Sequence, residues 1–409
     1  MKAFIMAGGF GTRLRPLTNN IPKPMIPMAN KPMMEHIIEL LKEHGFTEIV
    51  ALLYFQPELI EDYFRDGSDF GVKIIYITAG EDYGTAGSVK NAEALIQESF
   101  LIISGDVLTD IDISAAVRFH RERKGLATIV LTRVENPLQY GIIITDENGR
   151  ITHFMEKPSW SEVFSDTVNT GIYILEPEVL DFIPSKKEFD FSKDLFPTLL
   201  REGKPLYGYI APGYWKDVGD LMEYRLAHRD ILSGAVKVRM PGKKVEGIDK
   251  GIWLDEGCKV DFTAGLRGSV LIGKNTRVEA NVRIINSVIG DGCVIEEGAF
   301  ITDSILWDKV YVGQRASLKE NVVGKGSEIR AGACLFEGAL VSDNCKIGEE
   351  SIIKANVKVW PHKVVEDGAT LASSLIWGEK WSRSIFGAYG VTGLANIEIS
   401  PEFVAKLGA

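Results

Sequence analysis

The sequence has few of the features that mark secreted, membrane-embedded or nucleic-acid-coating proteins. It contains four cysteines in 409 residues, and none form a C-x-x-C pair, which argues against a disulfide framework and a zinc motif. The apolar run from Ala3 to Ala7 is too short for a signal peptide or a membrane span, and no later run is long enough. A net charge of −10 argues against a broad nucleic-acid surface. We therefore expect a cytoplasmic protein with reduced cysteines and no membrane or nucleic-acid partner.

The chain is longer than one ordinary hydrophobic core, so two or three domains are expected. Its first 235 residues alternate between strand-like and helix-like patterns. Ile49 to Leu53 and Phe100 to Ser104 are apolar strand runs, whereas the segment from Met34 to Leu41 has the apolar spacing of an amphipathic helix. This alternation predicts an α/β domain built on a mostly parallel sheet with both faces covered.

A six-residue repeat begins near residue 254. Aliphatic residues recur at this spacing, and the spacing slips to five after Ile284, Ile301 and Leu318. The repeating positions run Leu254, Val260, Leu266, Ile272, Val278, Ile284, Ile289, Ile295, Ile301, Leu306, Val312, Leu318, Val323, Ile329, Leu335, Val341, Ile347, Ile353 and Val359. This is the pattern of a hexapeptide parallel β-helix of roughly six coils, with the aliphatic residues directed inward. Small residues that follow many of them, Cys258, Cys293 and Cys345 among them, are expected to pack near the corners.

A glycine-rich loop follows the first predicted strand. It reads Gly8-Gly9-Phe10-Gly11-Thr12-Arg13-Leu14-Arg15-Pro16-Leu17-Thr18, and Pro22-Lys23-Pro24 comes soon after. Glycine allows backbone N–H groups to approach phosphates closely, and Arg13 and Lys23 supply fixed positive charge. The loop has neither the spacing of the dinucleotide fingerprint nor the ending of the P-loop.

The whole string resembles the signature of the NDP-sugar pyrophosphorylases, a nucleotidyltransferase family, and the resemblance extends over residues 1 to about 235. It implies a Rossmann-like mixed-sheet nucleotidyltransferase domain followed by a left-handed parallel β-helix. We expect four segments: a catalytic domain at 1–235, a linker at 236–252, the β-helix at 253–376 and a tail at 377–409.

The resemblance implies the following nucleotide-binding residues: Gly8, Gly9, Gly11, Thr12, Arg13, Lys23, Glu81, Gly84, Thr85 and Asp106. Within this set, Glu81 to Gly87 is similar to the family's base-recognition segment, while Arg13 and Lys23 correspond to the residues that contact the phosphates. Asp106, directly after an apolar strand, and Asp217 correspond to the family's two Mg²⁺ ligands. Two carboxylates with phosphate oxygens and waters suit that ion.

Three further motifs resemble the sugar-phosphate half of the site, and they contain Tyr140, Gly141, Glu156, Lys157, Asn169 and Thr170. Glu156 and Asn169 are expected to hydrogen-bond the hexose hydroxyls, and Lys157 to hold the sugar's phosphate. Arg13, Lys23 and Lys157 are then the catalytic residues. The implied reaction joins the nucleoside monophosphate of an NTP to a hexose 1-phosphate and releases pyrophosphate, with Mg²⁺ as cofactor.

The β-helix behind the catalytic domain resembles the architecture of mannose-1-phosphate guanylyltransferases and of several glucose-1-phosphate enzymes. Pro24 stands where short thymidylyltransferases carry a glutamine that binds the pyrimidine, which argues against thymidylyl transfer. Segments 387–393 and 400–408 are similar to the opening of a phosphohexomutase. Some guanylyltransferases are fused to such a domain, and this resemblance favours GTP and mannose 1-phosphate. Uridylyl, thymidylyl or adenylyl transfer to glucose 1-phosphate is an open alternative.

Two other classes of function fit the sequence less well. A silent regulatory subunit of the same fold has no need of Arg13, Lys23, Asp106, Lys157 and Asp217 together. An acyltransferase on the β-helix needs a histidine base, and the repeat region offers only His362, at its end. The flat faces and open ends of a β-helix favour a homo-oligomer instead.

Overall fold

The amino-terminal part of the chain alternates strands with helices as its apolar patterns predict. A computed structural model describes residues 1–245, 251–378, 380–381, 391, 399–401 and 404–405. Strands in the first part are β1 Ala3–Met6, β2 Pro27–Met28, β3 Lys31–Pro32, β4 Glu48–Leu53, β5 Lys73–Thr78, β6 Phe100–Ser104, β7 Val107–Thr109, β8 Ala127–Arg133, β9 Gly141–Thr145, β10 Ile151–Glu156, β11 Thr167–Leu175, β12 Leu206–Ile210 and β13 Trp215–Asp217. Its α-helices are α1 Met33–Glu43, α2 Pro57–Phe64, α3 Gly84–Asn91, α4 Ile113–Arg123, α5 Phe196–Arg201 and α6 Leu221–Ser233.

The main sheet is mixed, as the family resemblance implied, rather than mostly parallel, as the apolar pattern alone predicted. Strands β5, β4, β1 and β6 are parallel neighbours in that order, whereas β11 pairs antiparallel with both β6 and β8. Met6, at the end of β1, lies opposite Ser104, at the end of β6. The glycine loop and the segment with Asp106 therefore leave the sheet side by side at its carboxyl edge, where open sheets bind ligands.

The second part is a left-handed β-helix whose short parallel strands stack into three faces. One face, here called the docking face, consists of Ile252–Leu254, Val270–Ile272, Val288–Ile289, Ile305–Leu306, Val322–Val323, Leu340–Val341 and Lys358–Val359. The second consists of Lys259–Val260, Arg277–Val278, Val294–Ile295, Tyr311–Val312, Glu328–Ile329, Lys346–Ile347, Val364–Val365 and Lys380–Trp381. The third consists of Gly265–Arg267, Arg283–Ile285, Phe300–Thr302, Ser317–Lys319, Cys334–Leu335, Ile352–Ile353 and Thr370–Leu371.

The slips in the six-residue repeat are corners shortened by one residue. Successive coils are offset by 17 residues where Arg277 pairs with Val294, and by 18 where Lys346 pairs with Val364. The predicted inward aliphatic residues form the core of the coil, and Cys293 and Cys345 are fully buried there, as predicted; Cys258 is half-buried.

The docking face packs directly on the catalytic domain. Outward residues of this face share one buried cluster with the amino-terminal loops and with α6; the β-helix members are Leu271, Val288, Ile305, Trp307, Val322 and Leu340. The segment expected to be a linker contributes a strand, Lys243–Lys244, which pairs antiparallel with Ile252–Leu254.

Within the described residues, no helix has the length and hydrophobicity that crossing a membrane requires. The predicted resemblance of the tail to a phosphohexomutase falls almost entirely on positions outside the described residues.

Candidate active site

Gly11 in the glycine loop occupies a position with no room for a larger residue. Gly11 has a φ of 62°, and a Cβ there would lie 2.9 Å from the Thr18 side chain and 3.0 Å from Cβ of Lys23. The Thr18 hydroxyl donates a hydrogen bond to the Gly11 carbonyl at 2.7 Å. No described residue accepts a hydrogen bond from the backbone N–H of Gly8, Gly9 or Gly11. These N–H groups are thus free to bind an anion.

Two carboxylates and two cations meet beside this loop. Lys23 Nζ lies 2.6 Å from Asp106 Oδ2 and 3.3 Å from Asp217 Oδ1, and an Arg13 nitrogen lies 3.9 Å from Asp217 Oδ2. The two aspartates are neighbours because β13 pairs antiparallel with β7, which places Asp217 opposite Val107. The Lys23 side chain is 7% exposed, whereas that of Arg13 is 60% exposed. Lys23 is therefore a buried part of the cluster, and Arg13 lies at its open side.

Charge and burial shift the pKa values of this cluster in different directions. Burial lowers the pKa of Lys23, but the charges of Asp106 and Asp217 outweigh it and raise the pKa above its usual value. For Asp106, burial is outweighed by the Lys23 ammonium and by the Ser104 hydroxyl, which donates at 2.6 Å, so the pKa is lowered. Burial and the charge of Asp106 raise the pKa of Asp217. The pair thus holds an ionised Asp106 and a more basic Asp217.

A cavity of about 300 Å³ extends from the glycine loop toward α3. It is lined by Met6, Gly8, Gly9, Phe10, Leu52, Leu53, Tyr54, Glu81, Asp82, Gly84, Thr85, Ser88, Ser104, Asp106 and Asp190. Gly84 has a φ of 67° and would meet the Phe189 carbonyl at 2.9 Å if it carried a Cβ. The Thr85 hydroxyl donates to Asp190 at 2.9 Å and so connects α3 to the segment that carries Asp190. The predicted base-recognition residues Glu81, Gly84 and Thr85 thus line one wall.

The predicted sugar-phosphate residues Tyr140 and Thr170 are connected to the aspartates through Trp215. The Trp215 indole packs edge-on against Tyr140, with ring centres 5.3 Å apart, and donates to the Thr170 carbonyl at 2.9 Å. The backbone N–H of Lys157 donates to the Tyr140 carbonyl at 3.1 Å. Because Trp215 is two residues from Asp217 on β13, it ties this group to the aspartate cluster.

Glu156 and Asn169 meet at a single hydroxyl. Asn169 Nδ2 lies 3.1 Å from Ser192 Oγ, and the Glu156 carboxylate also bonds Ser192. Glu156 lies opposite Gly141 across the β9–β10 pair, and a Cβ on Gly141 would come within 2.7 Å of its carboxylate. Burial raises the pKa of Glu156, although the charge of Lys157 opposes this shift. The two side chains thus share Ser192 as a hydrogen-bond partner, and Asn169 also bonds the Tyr173 hydroxyl and the Gly171 N–H.

The structure adds four residues to this region that the sequence motifs did not single out: Ser104, Asp190, Ser192 and Trp215. Ser104 and Trp215 each stand two residues before a predicted metal ligand, Asp106 and Asp217, and this position was the available signal. Asp190 and Ser192 lie in a loop without any local pattern, and only the fold brings them to the site. Asp110 and Asp112 lie outside the site. Asp112 caps α4, while Asp110 accepts from the backbone of Tyr214 and Lys237.

Comparison with known proteins gives two family matches. Residues 2–234 match the Nucleotidyl transferase family, and residues 249–353 match the EIF2B subunit epsilon LbH domain. The chain is 40% identical to a UTP–glucose-1-phosphate uridylyltransferase from Synechocystis, covering 84% of this chain and 92% of that protein. It is 34% identical to a mannose-1-phosphate guanyltransferase from Debaryomyces hansenii, covering 89% of this chain and 97% of that protein.

A solved structure is similar to the amino-terminal domain. This Bacillus anthracis protein, described as a glucose-1-phosphate thymidylyltransferase, superposes with a TM-score of 0.51 at 27% identity. The match covers 56% of this chain and 94% of that one. The α/β part therefore has the fold of a sugar nucleotidyltransferase.

Proposed function

Because the chain belongs to the nucleotidyl transferase family, we propose that it joins the GMP portion of GTP to mannose 1-phosphate, with GDP-mannose and pyrophosphate as products. The observation that carries this proposal is the cluster of Lys23, Arg13, Asp106 and Asp217 beside a loop with free backbone N–H groups. Such a pocket can hold a triphosphate through its N–H groups and cations. The neighbouring space around Glu156 and Asn169 offers hydrogen bonds to a hexose.

In the proposed reaction, a phosphate oxygen of the sugar attacks the α-phosphorus in line, and the pyrophosphate leaves on the opposite side. Lys157 orients the attacking phosphate, and Lys23 reduces the repulsion between the two anions. Arg13, at the open side of the cluster, stabilises the charge on the leaving pyrophosphate. No covalent intermediate with the protein is needed, since positioning and electrostatic stabilisation supply the rate.

Sugar nucleotidyltransferases of this family generally depend on a divalent metal ion, and we propose Mg²⁺ held by Asp106 and Asp217. The side chains fit such an ion because the Lys23 ammonium already bridges the two carboxylates, which shows that they can share one cation. Two carboxylates with phosphate oxygens and water form a usual Mg²⁺ site. When bound, the ion would neutralise charge that develops on the phosphates.

The acidic character of the nucleotide cavity supports guanine as the base. Glu81 and Asp82 line the cavity, and no lysine or arginine is among its lining residues. Guanine presents two donors side by side, N1–H and the N2 amino group, which one carboxylate can accept together. Uracil and thymine present one N–H between two carbonyl oxygens, and a carboxylate repels those oxygens. The free carboxylate of Glu81 therefore favours GTP over UTP and dTTP.

UTP with glucose 1-phosphate is the second candidate, because of the 40% identity to the Synechocystis uridylyltransferase. Pyrophosphate release with four NTPs, each paired with mannose 1-phosphate and glucose 1-phosphate, would separate the two. We expect the highest kcat/KM for GTP with mannose 1-phosphate. A higher value for UTP with glucose 1-phosphate would contradict the proposal and support the second candidate.

We further propose that the chain forms a homo-oligomer through the two β-helix faces that the catalytic domain leaves uncovered. Light scattering after size-exclusion chromatography would measure its mass in solution. A mass of one chain, 45.2 kDa, would contradict this part of the proposal.

A further inference from the structure

The four charged residues of the active site all lie close in sequence to side chains buried between the catalytic domain and the β-helix. Each is one to three residues away from such a side chain. These buried neighbours are Leu14, Ile26, Leu108 and Val218. The same cluster contains Leu271, Val288, Ile305, Trp307, Val322 and Leu340 from the docking face. The segments that carry the four charged residues thus pack partly against the β-helix.

Polar contacts fix individual points of the amino-terminal loops to the docking face. Ser342 Oγ donates to the Pro16 carbonyl at 3.2 Å, and Asn30 Nδ2 donates to the Ile289 carbonyl at 2.8 Å. Pro16 lies within the loop that carries Arg13, and Asn30 lies in the hairpin after Lys23. Both cation-bearing segments therefore have a partner on the β-helix that is far away in sequence.

The tip of the β2–β3 hairpin is held in an uncommon backbone conformation. Ala29 and Asn30 have φ values of 48° and 63°, which side-chain-bearing residues adopt rarely. The backbone N–H of Ala29 donates to His228 Nε2 on α6 at 3.2 Å, in addition to the bond from Asn30 to Ile289. These contacts clamp the hairpin between α6 and the docking face.

A short hydrogen-bonded chain connects the β-helix to this hairpin. Trp307 Nε1 donates to the Tyr224 hydroxyl at 3.0 Å, and that hydroxyl donates to the Pro27 carbonyl at 2.6 Å. Trp307 is 4% exposed and Tyr224 is fully buried, so water does not replace either bond. A hydroxyl that accepts one hydrogen bond donates a stronger one, so the indole strengthens the hold on Pro27.

We propose that the docking face of the β-helix is a positioning element of the active site, with Trp307 and Tyr224 as positioning residues that hold the hairpin after Lys23. The β-helix then does more than join copies of the chain, because turnover depends on its contact with the loops. Neither residue is a catalytic residue, since neither touches the charged cluster. The proposal rests on the proposed function only in that Lys23 acts on the phosphates.

The test compares full-length Trp307→Phe and Tyr224→Phe with the unmodified chain. Both substitutions keep an aromatic ring and remove one hydrogen-bonding group. Trp377→Phe is the matched control, because Trp377 is also on the β-helix part of the chain but is 64% exposed. We expect kcat to fall about tenfold in the first two variants and to stay unchanged in the control, since small misplacements of positioning groups reduce turnover strongly.

The double variant tests whether Trp307 and Tyr224 act through the same series of hydrogen bonds. Because the indole acts on Pro27 only through the Tyr224 hydroxyl, the double variant should be no slower than Tyr224→Phe alone. If the two residues acted independently, the fold-decreases in kcat of the two single variants would multiply in the double variant. Such a result would overturn the assignment of Trp307 and Tyr224 to one series of hydrogen bonds.

Amide hydrogen exchange measures the local opening of the hairpin backbone in the absence of substrate. We expect exchange in peptides covering residues 24–33 to become faster in both variants, while the inner strands of the β-helix keep their protection. Unchanged exchange at 24–33, or faster exchange with unchanged kcat, would overturn the proposal. If the unmodified chain released no pyrophosphate with any NTP, the proposed function would fail, and the exchange measurement would still decide whether the docking face holds the hairpin.

Discussion

The buried Lys23 ammonium lies between two carboxylates, Asp106 and Asp217, whose pKa values differ. With its side chain only 7% exposed, Lys23 bridges both aspartates, and the pKa of Asp106 is lowered while that of Asp217 is raised. Lys23 favours the ionised form of both carboxylates, but burial and the charge of Asp106 outweigh this effect at Asp217. The two carboxylates are therefore chemically distinct, although the sequence presents them as equivalent metal ligands. Asp217 also lies nearer to the exposed Arg13, at the side where a leaving pyrophosphate would be bound.

Replacing Asp217 by asparagine should remove charge without removing volume. We expect Asp217→Asn to lower kcat/KM by about a thousandfold, because a group that stabilises transition-state charge is commonly worth that much. The unfolding midpoint should change little, since the amide keeps an acceptor for Lys23. Pyrophosphate release as a function of Mg²⁺ concentration, together with thermal unfolding, measures both quantities.

Asp166→Asn is the matched control for this experiment, because Asp166 is exposed and its carboxylate contacts Arg133 and the neighbouring Thr167 hydroxyl, far from the charged cluster in sequence. It should have unmodified activity and an unmodified dependence on Mg²⁺. Near-normal turnover of Asp217→Asn at ordinary Mg²⁺ concentrations would remove Asp217 from the proposed metal site.

Glu81 is the residue on which base selection should depend. In Glu81→Gln the neutral amide offers one acceptor in place of a carboxylate, so kcat/KM for GTP should fall about tenfold, as expected for the loss of a hydrogen bond to a charged group. The value for UTP should stay the same or rise, since repulsion of its carbonyl oxygens is relieved. Glu93→Gln, an exposed acid after α3, is the control. An equal loss for both nucleotides would argue against a role in base selection.

At the scale of elements, the β-helix was the part that the sequence predicted best. Its aliphatic repeat fixes which side chains point inward, because each six-residue unit contributes one inward position to the core. The five-residue slips after Ile284, Ile301 and Leu318 correspond to the 17-residue coils. The repeat could not predict which outward residues are buried against the catalytic domain. A valine exposed to solvent and a valine covered by another domain occupy the same position in the repeat.

The coil stacking depends on glycines that lie against the next coil. A Cβ on Gly290 would come within 2.5 Å of the Trp307 carbonyl carbon and 2.7 Å of the Asp308 nitrogen, both backbone atoms. We expect Gly290→Ala to destabilise the protein by about 1–3 kcal/mol, because neighbouring coils must separate. Denaturant unfolding measures this difference. Gly265→Ala is the control, since a Cβ there meets only the Val282 carbonyl at 4.0 Å. Equal stability of the two variants would contradict the close-packing argument.

At the scale of the whole molecule, the parallel core and the motif residues at its carboxyl edge could be predicted, because strand ends of a parallel sheet meet at one edge. The mixed character of the sheet followed only from the family resemblance, because the apolar runs around β11 do not encode strand direction. Sequence patterns also did not indicate that Leu14, Val218 and Trp307 belong to one core. That core joins segments about three hundred residues apart, and only the docked fold reveals it.

This shared core contains a buried histidine whose protonation should separate stability at neutral and acidic pH. His228 Nε2 accepts from the Ala29 N–H, and Nδ1 bonds the Tyr224 carbonyl, so the ring is neutral with its proton on Nδ1. Burial lowers the pKa of His228 to about 4, from 6.5 in the unfolded chain. The unfolded chain therefore binds the proton more readily. The contribution of His228 is fully present above pH 6.5 and is lost as the pH falls toward 4, by on the order of 3 kcal/mol.

We accordingly expect the unfolding free energy to fall between pH 6.5 and pH 4 in a way that depends on His228. In His228→Gln the protein should be less stable at pH 7, because the contacts to Ala29 and Tyr224 are perturbed, but its stability should vary less over this range. Denaturant unfolding at pH 7, 5.5 and 4.5 measures the slope. His153→Gln is the control, because His153 is exposed. If His228→Gln kept the full slope, acid sensitivity would arise from other groups, such as the carboxylates or His36, whose pKa burial also lowers, and the histidine at the domain contact would have no part in it.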